Sequence, residues 1–168
     1  MKKIGIFYGS NSGNTQAVAE QIAENLDIAK EEIHDIANTG MDKMSHYDYL
    51  LLGSSTWGFG DIQDDWDLLE LERLNLSGKK VALFGTGDSS SYSETFCDAL
   101  GQLAEAIEKT GALLVGNKVN SSDYSFDSSV SEKDGFFCGL AIDEDNEPEK
   151  TNARIAEWTK QLHLDFEL

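Results

Sequence analysis

At 168 residues, with 40% hydrophobic side chains, the chain is long enough for one packed core and short for two, so a single unit spanning 1–168 is expected. Its 31 acids against 13 bases give a formal net charge of −18, which argues against nucleic acid and favours docking onto basic protein surfaces. No run approaches a membrane span, Cys97 and Cys138 form no CxxC pair, and the three histidines lack metal-ligand spacing.

In chain order, "KIGIFY" (Lys3 to Tyr8) reads as a buried strand. The apolar stretch stops at Gly9–Ser10, too short for a signal peptide despite Lys2 and Lys3, so a cytoplasmic protein is expected. Val18, Ile22 and Leu26 then recur at helical spacing. "EEIHDIA" (Glu31 to Ala37) predicts a second strand near a sheet edge, and "DYLLLG" (Asp48 to Gly53) a third. "DDWDLLELERL" (Asp64 to Leu74) predicts a helix, and "KVALFG" (Lys80 to Gly85) a fourth strand. Phe96, Leu100, Leu103 and Ile107 mark an amphipathic helix. "ALLVGNKV" (Ala112 to Val119) opens a fifth strand, an aperiodic Ser/Asp-rich excursion follows (Asn120 to Gly135), and "FFCGLAI" (Phe136 to Ile142) resumes it. Pro148 opens the last helix, with Ile155, Trp158 and Leu162 as its buried face. Strands apolar on both faces, alternating with helices, predict a parallel sheet covered on both sides, with ligands beyond the carboxyl ends of the strands.

Three polar loops leave those ends. "GSNSGNT" (Gly9 to Thr15) combines two glycines, three hydroxyls and two amides at a helix start, without lysine or arginine. The missing "GK[ST]" ending disfavours phosphoryl transfer on a triphosphate; a terminal monophosphate held by neutral donors fits better. "SSTWGFGD" (Ser54 to Asp61) puts Trp57 among glycines, where no helical or strand period requires an aromatic. "TGDSSSY" (Thr86 to Tyr92) ends in a second aromatic. Two such rings can sandwich a flat heterocycle, at about 1 kcal/mol per face beyond burial.

A flat heteroaromatic with a monophosphate tail describes FMN. On "IGIFYGSNSGNTQAVAE", "YLLLGSSTWGFGD", "ALFGTGD" with Tyr92, and the interrupted fifth strand, the chain resembles the flavodoxins, specifically the long-chain type, almost end to end. That resemblance implies an α/β flavodoxin-like three-layer sandwich. Its five-stranded parallel sheet has the order 2-1-3-4-5, and a loop insertion interrupts the fifth strand. It implies that Ser10, Asn11, Ser12, Gly13, Asn14 and Thr15 hold the FMN phosphate, and that Trp57 and Tyr92 flank the isoalloxazine. Ser55, Thr56, Gly58, Phe59, Gly87 and Asp88 would line the ring edge, with Thr86 and Asp145 as further contacts. The sequence departs from the family at Asn14, Gly58 and Ser55, where relatives often carry Lys, Asn and Pro.

The implied function is single-electron transfer between larger redox enzymes by a low-potential monomer, with FMN shuttling between neutral semiquinone and hydroquinone and no catalytic or metal-binding residue. Acids near the ring would make added negative charge unfavourable. An FMN-dependent NAD(P)H or quinone reductase on a similar fold is the alternative enzyme reading. A signalling receiver would need an aspartate at the end of the third strand, where Gly53, Ser54 and Ser55 stand. A cysteine phosphatase would need Cys followed six residues later by Arg, which neither cysteine has.

Overall fold

The computed structural model describes residues 2–168. In chain order the elements are β1 (Ile4–Gly9), α1 (Asn14–Asn25), β2 (Ile33–Asp35), β3 (Tyr49–Trp57), β4 (Asp61–Ile62), α2 (Leu68–Glu72) and β5 (Lys80–Thr86). Then follow α3 (Asp98–Glu108), β6 (Leu113–Leu114), β7 (Val119–Asn120), β8 (Glu132–Lys133), β9 (Phe136–Phe137), β10 (Leu140–Ile142) and α4 (Pro148–Asp165).

The main sheet runs β2-β1-β3-β5, with β6 and β10 both parallel to β5 on its far side. Counting those two pieces as one broken strand gives the expected order 2-1-3-4-5. Side chains alternate across the pleat, so neighbouring residues of a strand feed different cores. Phe7, Leu50, Leu52 and Leu83 pack with Leu100, Leu103 and Ile107 of α3. Ile6, Leu51 and Phe84 pack with Val18 and Ile22 of α1 and with Ile155 and Trp158 of α4. Both faces of the sheet are thereby buried, which explains the near-continuous apolar strands.

Three expectations need correction. The second strand, expected over Glu31 to Ala37, is Ile33–Asp35 alone, because Lys30–Glu32 form a 3-10 turn. The helix predicted over Asp64 to Leu74 shrinks to Leu68–Glu72. Upstream, the Gln63 side chain accepts a bond from the Asp65 amide at 3.0 Å, and the Trp66 indole donates to the Gly53 carbonyl at 3.0 Å. These bonds hold an extended approach, and Asp67 then caps the helix by accepting from the Glu70 amide at 3.1 Å. The excursion, expected over Asn120 to Gly135, is also longer than that, and Phe136–Phe137 belong to it. The chain leaves the sheet at Gly116, whose carbonyl accepts from the Trp158 indole at 2.9 Å, and β7-β9-β8 then form a small antiparallel sheet. Of the expected fifth strand, Leu113–Leu114 and Leu140–Ile142 are the pieces that pair with β5 among the described residues.

The insertion is tied down at two places. Arg154 of α4 lies 3.7 Å from the centroid of the Tyr124 ring, and the Tyr124 hydroxyl donates to the Ala141 carbonyl at 2.7 Å. Farther on, the Asp127 and Ser128 amides donate to the Ser93 carbonyl at 2.9 and 3.0 Å, and Ser131 donates to the Cys97 carbonyl at 2.6 Å. Its serines thus satisfy the irregular backbone between the third polar loop and α3.

Candidate functional site

The carboxyl ends of β1, β3 and β5 align in register: Gly9 pairs with Ser54, Ser54 with Gly85, and Ser55 with Thr86. The three polar loops therefore leave one end of the sheet together. Their first direct link is a hydrogen bond of 2.9 Å between the Thr15 and Thr86 hydroxyls, which ties the start of α1 to the end of β5.

The first loop has the features of an anion cradle. Among the described residues no side chain caps α1, and its first turn carries no acid. Its leading amides and the positive end of its dipole are left facing the loop. Gly13 turns the chain at φ 96°, and a Cβ built there meets nothing within 4 Å. Ser10 accepts from the Gly13 amide at 3.1 Å, which leaves its hydroxyl proton free to donate. Asn11 and Ser12 are exposed, Asn14 half-buried and Thr15 buried. No lysine or arginine occurs between Lys3 and Lys30.

The second loop is a tight hairpin. β3 continues to Trp57 and returns through Gly58, Phe59 and Gly60 into β4, with Trp57 opposite Asp61. Gly58 sits at φ 51°, a conformation unfavourable for side chains with a Cβ. Trp57 is 39% exposed, and its indole donates to the Ser55 hydroxyl at 2.7 Å, which fixes the ring plane. The Thr56 hydroxyl accepts from the Ala99 amide at 3.1 Å and so seats the hairpin on the start of α3. Phe59, at the tip, is 93% exposed.

In the third loop Tyr92 is 42% exposed, and its amide donates to the Asp88 carbonyl at 2.9 Å. The Gly87 amide donates to the Ile142 carbonyl at 3.0 Å, which ties the loop to β10. Burial opposes ionisation of the Asp88 carboxyl. Bonds from the Ser91 amide, Asn146 and the Ser90 amide outweigh it, and the pKa lies below the usual carboxylate value. At exposed Asp145 burial, then the charges of Asp88, Asp143 and Glu144, push the pKa up.

Sequence reasoning missed three residues here. Gln63, 1% exposed, donates to Asn11 at 2.8 Å and accepts from the Asp65 amide, bracing the first loop from the second. Asp143, fully buried, and Asn146 link the third loop to the approach of α4. The only trace of them in sequence was "DEDNEP" (Asp143 to Pro148), a run of turn-forming side chains before a helix-starting proline.

The flavodoxin family model matches residues 6–158. The flavodoxin of Klebsiella pneumoniae is 45% identical over 172 residues, covering 98% of this chain and 97% of the relative. That of Synechococcus elongatus is 42% identical over 171 residues, with full cover of both. Among solved structures, Fusobacterium nucleatum flavodoxin bound to flavin mononucleotide superposes with a TM-score of 0.89 at 29% identity, covering 98% of this chain and 99% of the other. A chain with these loops, this strand order and such relatives along its whole length belongs to the flavodoxin family.

Proposed function

We propose that Ser10, Asn11, Ser12, Gly13, Asn14 and Thr15 hold the phosphate of FMN, and that Trp57 and Tyr92 cover the two faces of its ring. Ser55, Thr56, Gly58, Phe59, Thr86, Gly87, Asp88 and Asp145 form the ring's surroundings. The protein is an FMN-dependent electron carrier rather than an enzyme. When bound, FMN supplies the one- and two-electron redox chemistry; the chain binds it, orients it and sets its charge environment.

The observation that carries this reading is the uncapped, acid-free start of α1, opening at the same sheet end as two exposed aromatic rings. Amides and hydroxyls grip a dianion there without neutralising it. Asp61, Asp64 and Asp65 are exposed, and Asp88 is held ionised, so the field at this end disfavours a further negative charge. Trp57 and Tyr92 restrict water at the ring, which strengthens that effect. A low potential follows from both.

Redox proteins with basic docking faces are the proposed partners, drawn by the net charge of −18. A monomeric, cytoplasmic, single-domain protein matches the weak, reversible contacts such a carrier needs. No helix of the described residues is long and apolar enough to cross a membrane.

The test is titration of apoprotein with FMN and, separately, with riboflavin. Strong quenching of FMN fluorescence with weaker binding of riboflavin is expected. Equal affinity for the two, or no quenching by either, overturns the phosphate assignment or the stacking assignment respectively. Rapid reduction of the holoprotein by NADH alone would instead favour the reductase reading.

A further inference from the structure

We infer that Asn146 is a positioning residue: its side-chain amide staples the Tyr92 loop to the start of α4 by bridging two carboxylates, Asp88 and Asp143. The inference rests on the reading above in which that loop covers the flavin.

Asp143 follows β10 directly and is fully buried, yet none of the ion pairs among the described residues involves it. A buried carboxylate without a cation depends on hydrogen-bond donors. The Ser89 hydroxyl donates to Oδ2, the Ser89 amide reaches the same oxygen at 3.4 Å, and the Asn146 amide donates to Oδ1 at 3.2 Å. The Asn146 side chain adds Nδ2 at 2.9 Å from Oδ1 and 3.2 Å from Oδ2. The same nitrogen lies 2.8 Å from Oδ1 of Asp88, which also accepts the Ser90 and Ser91 amides at 3.1 and 2.9 Å.

Asn146 is itself exposed, so packing does not account for its side-chain conformation. Its two amide protons serve two acids that otherwise repel each other. Glu144 and Asp145 adjoin it, and burial, then the charges of Asp88, Asp143 and Glu144, raise the pKa of Asp145. The path from Asn146 to Asp88 to the Tyr92 amide, which donates to the Asp88 carbonyl, is short and made of hydrogen bonds throughout. Loss of the amide protons removes the tie between Asp88 and the start of α4, while the links of the loop to Asp143 through Ser89 and to β10 through Gly87 remain.

The experiment compares Asn146→Asp, Asn146→Ala and Tyr92→Ala with wild type, by FMN titration of apoprotein, visible circular dichroism of bound FMN and midpoint potential. Asn146→Asp keeps the size, removes the donors and adds a charge; about tenfold weaker FMN binding is expected. The dichroism of the bound flavin should move toward that of Tyr92→Ala, and 1 M salt should restore part of the affinity. Asn146→Ala should weaken binding less, with a smaller salt rescue, and decides the matter if Asn146→Asp does not fold. Wild-type affinity, dichroism and potential in Asn146→Ala overturn the inference. If Tyr92→Ala changes neither affinity nor dichroism, it is the stacking assignment that falls.

Discussion

At the scale of single residues, Thr15 and His34 show how a buried polar group is used. The Thr15 hydroxyl shares one bond with Thr86 and keeps capacity for a second, which the proposed function assigns to the phosphate. Thr15→Val keeps the shape and removes the hydroxyl, so FMN affinity should fall about tenfold while riboflavin affinity stays near wild type, as read by fluorescence titration. His34 is 7% exposed, and its Nε2 lies 2.7 Å from the Tyr47 hydroxyl, which itself donates to Glu32. Nε2 must therefore carry the proton, leaving Nδ1 bare. Burial, then the charge of Lys43, outweighs the pull of Glu32 and holds the pKa below 6.5. The unfolded chain thus binds the proton more readily, and the stability from neutral His34 is present above about pH 6.5 and lost as pH falls below it through the lower folded pKa. In urea unfolding, His34→Gln should flatten the decline in stability between pH 7 and pH 5. Trp57 and Tyr92 were legible in sequence because no period explained them. Gln63 and Asn146 were not, since their partners Asn11 and Asp88 stand 52 and 58 residues away.

At the scale of elements, the central strands β1, β3 and β5 were read well because burial on both faces leaves an unbroken apolar signature, whereas the edge strands came out shorter than expected. α2 and the insertion were read poorly for a shared reason: side chains, not periodicity, set their backbone. Asp67 and Gln63 decide where α2 begins, and Ser128, Ser129 and Ser131 anchor the insertion by donating to the carbonyls of Glu94, Phe96 and Cys97. The β3–β4 hairpin is decided by glycine. A Cβ at Gly58 would sit 3.5 Å from Asp61, an ordinary contact, so the cost of Gly58→Val lies in the backbone at φ 51°. That strain is about 1–2 kcal/mol. Thermal melting should register a loss of that size, and the long-wavelength absorbance at half-reduction should drop if the Gly58 carbonyl turns toward the flavin.

For the molecule as a whole, charge is the dominant property. A net −18 on 168 residues is self-repulsive, so added salt should raise the melting temperature of the apoprotein. The same salt should slow electron transfer from a basic reductase by about tenfold or more in stopped-flow mixing. A rate that does not change with ionic strength would contradict steering. Charge and its sign were fully visible in the sequence; the topology was visible through the alternation of strands and helices together with the family motifs. Finally, the broken fifth strand bears on self-association. Unpaired amides along a sheet's rim act as templates on which another copy can lay a strand, the first step toward fibrils. Here the outer rim is cut into stubs of two and three residues, Leu113–Leu114 and Leu140–Ile142, and β2 at the opposite rim has only three. Among the described residues neither side offers a run long enough to recruit a neighbour.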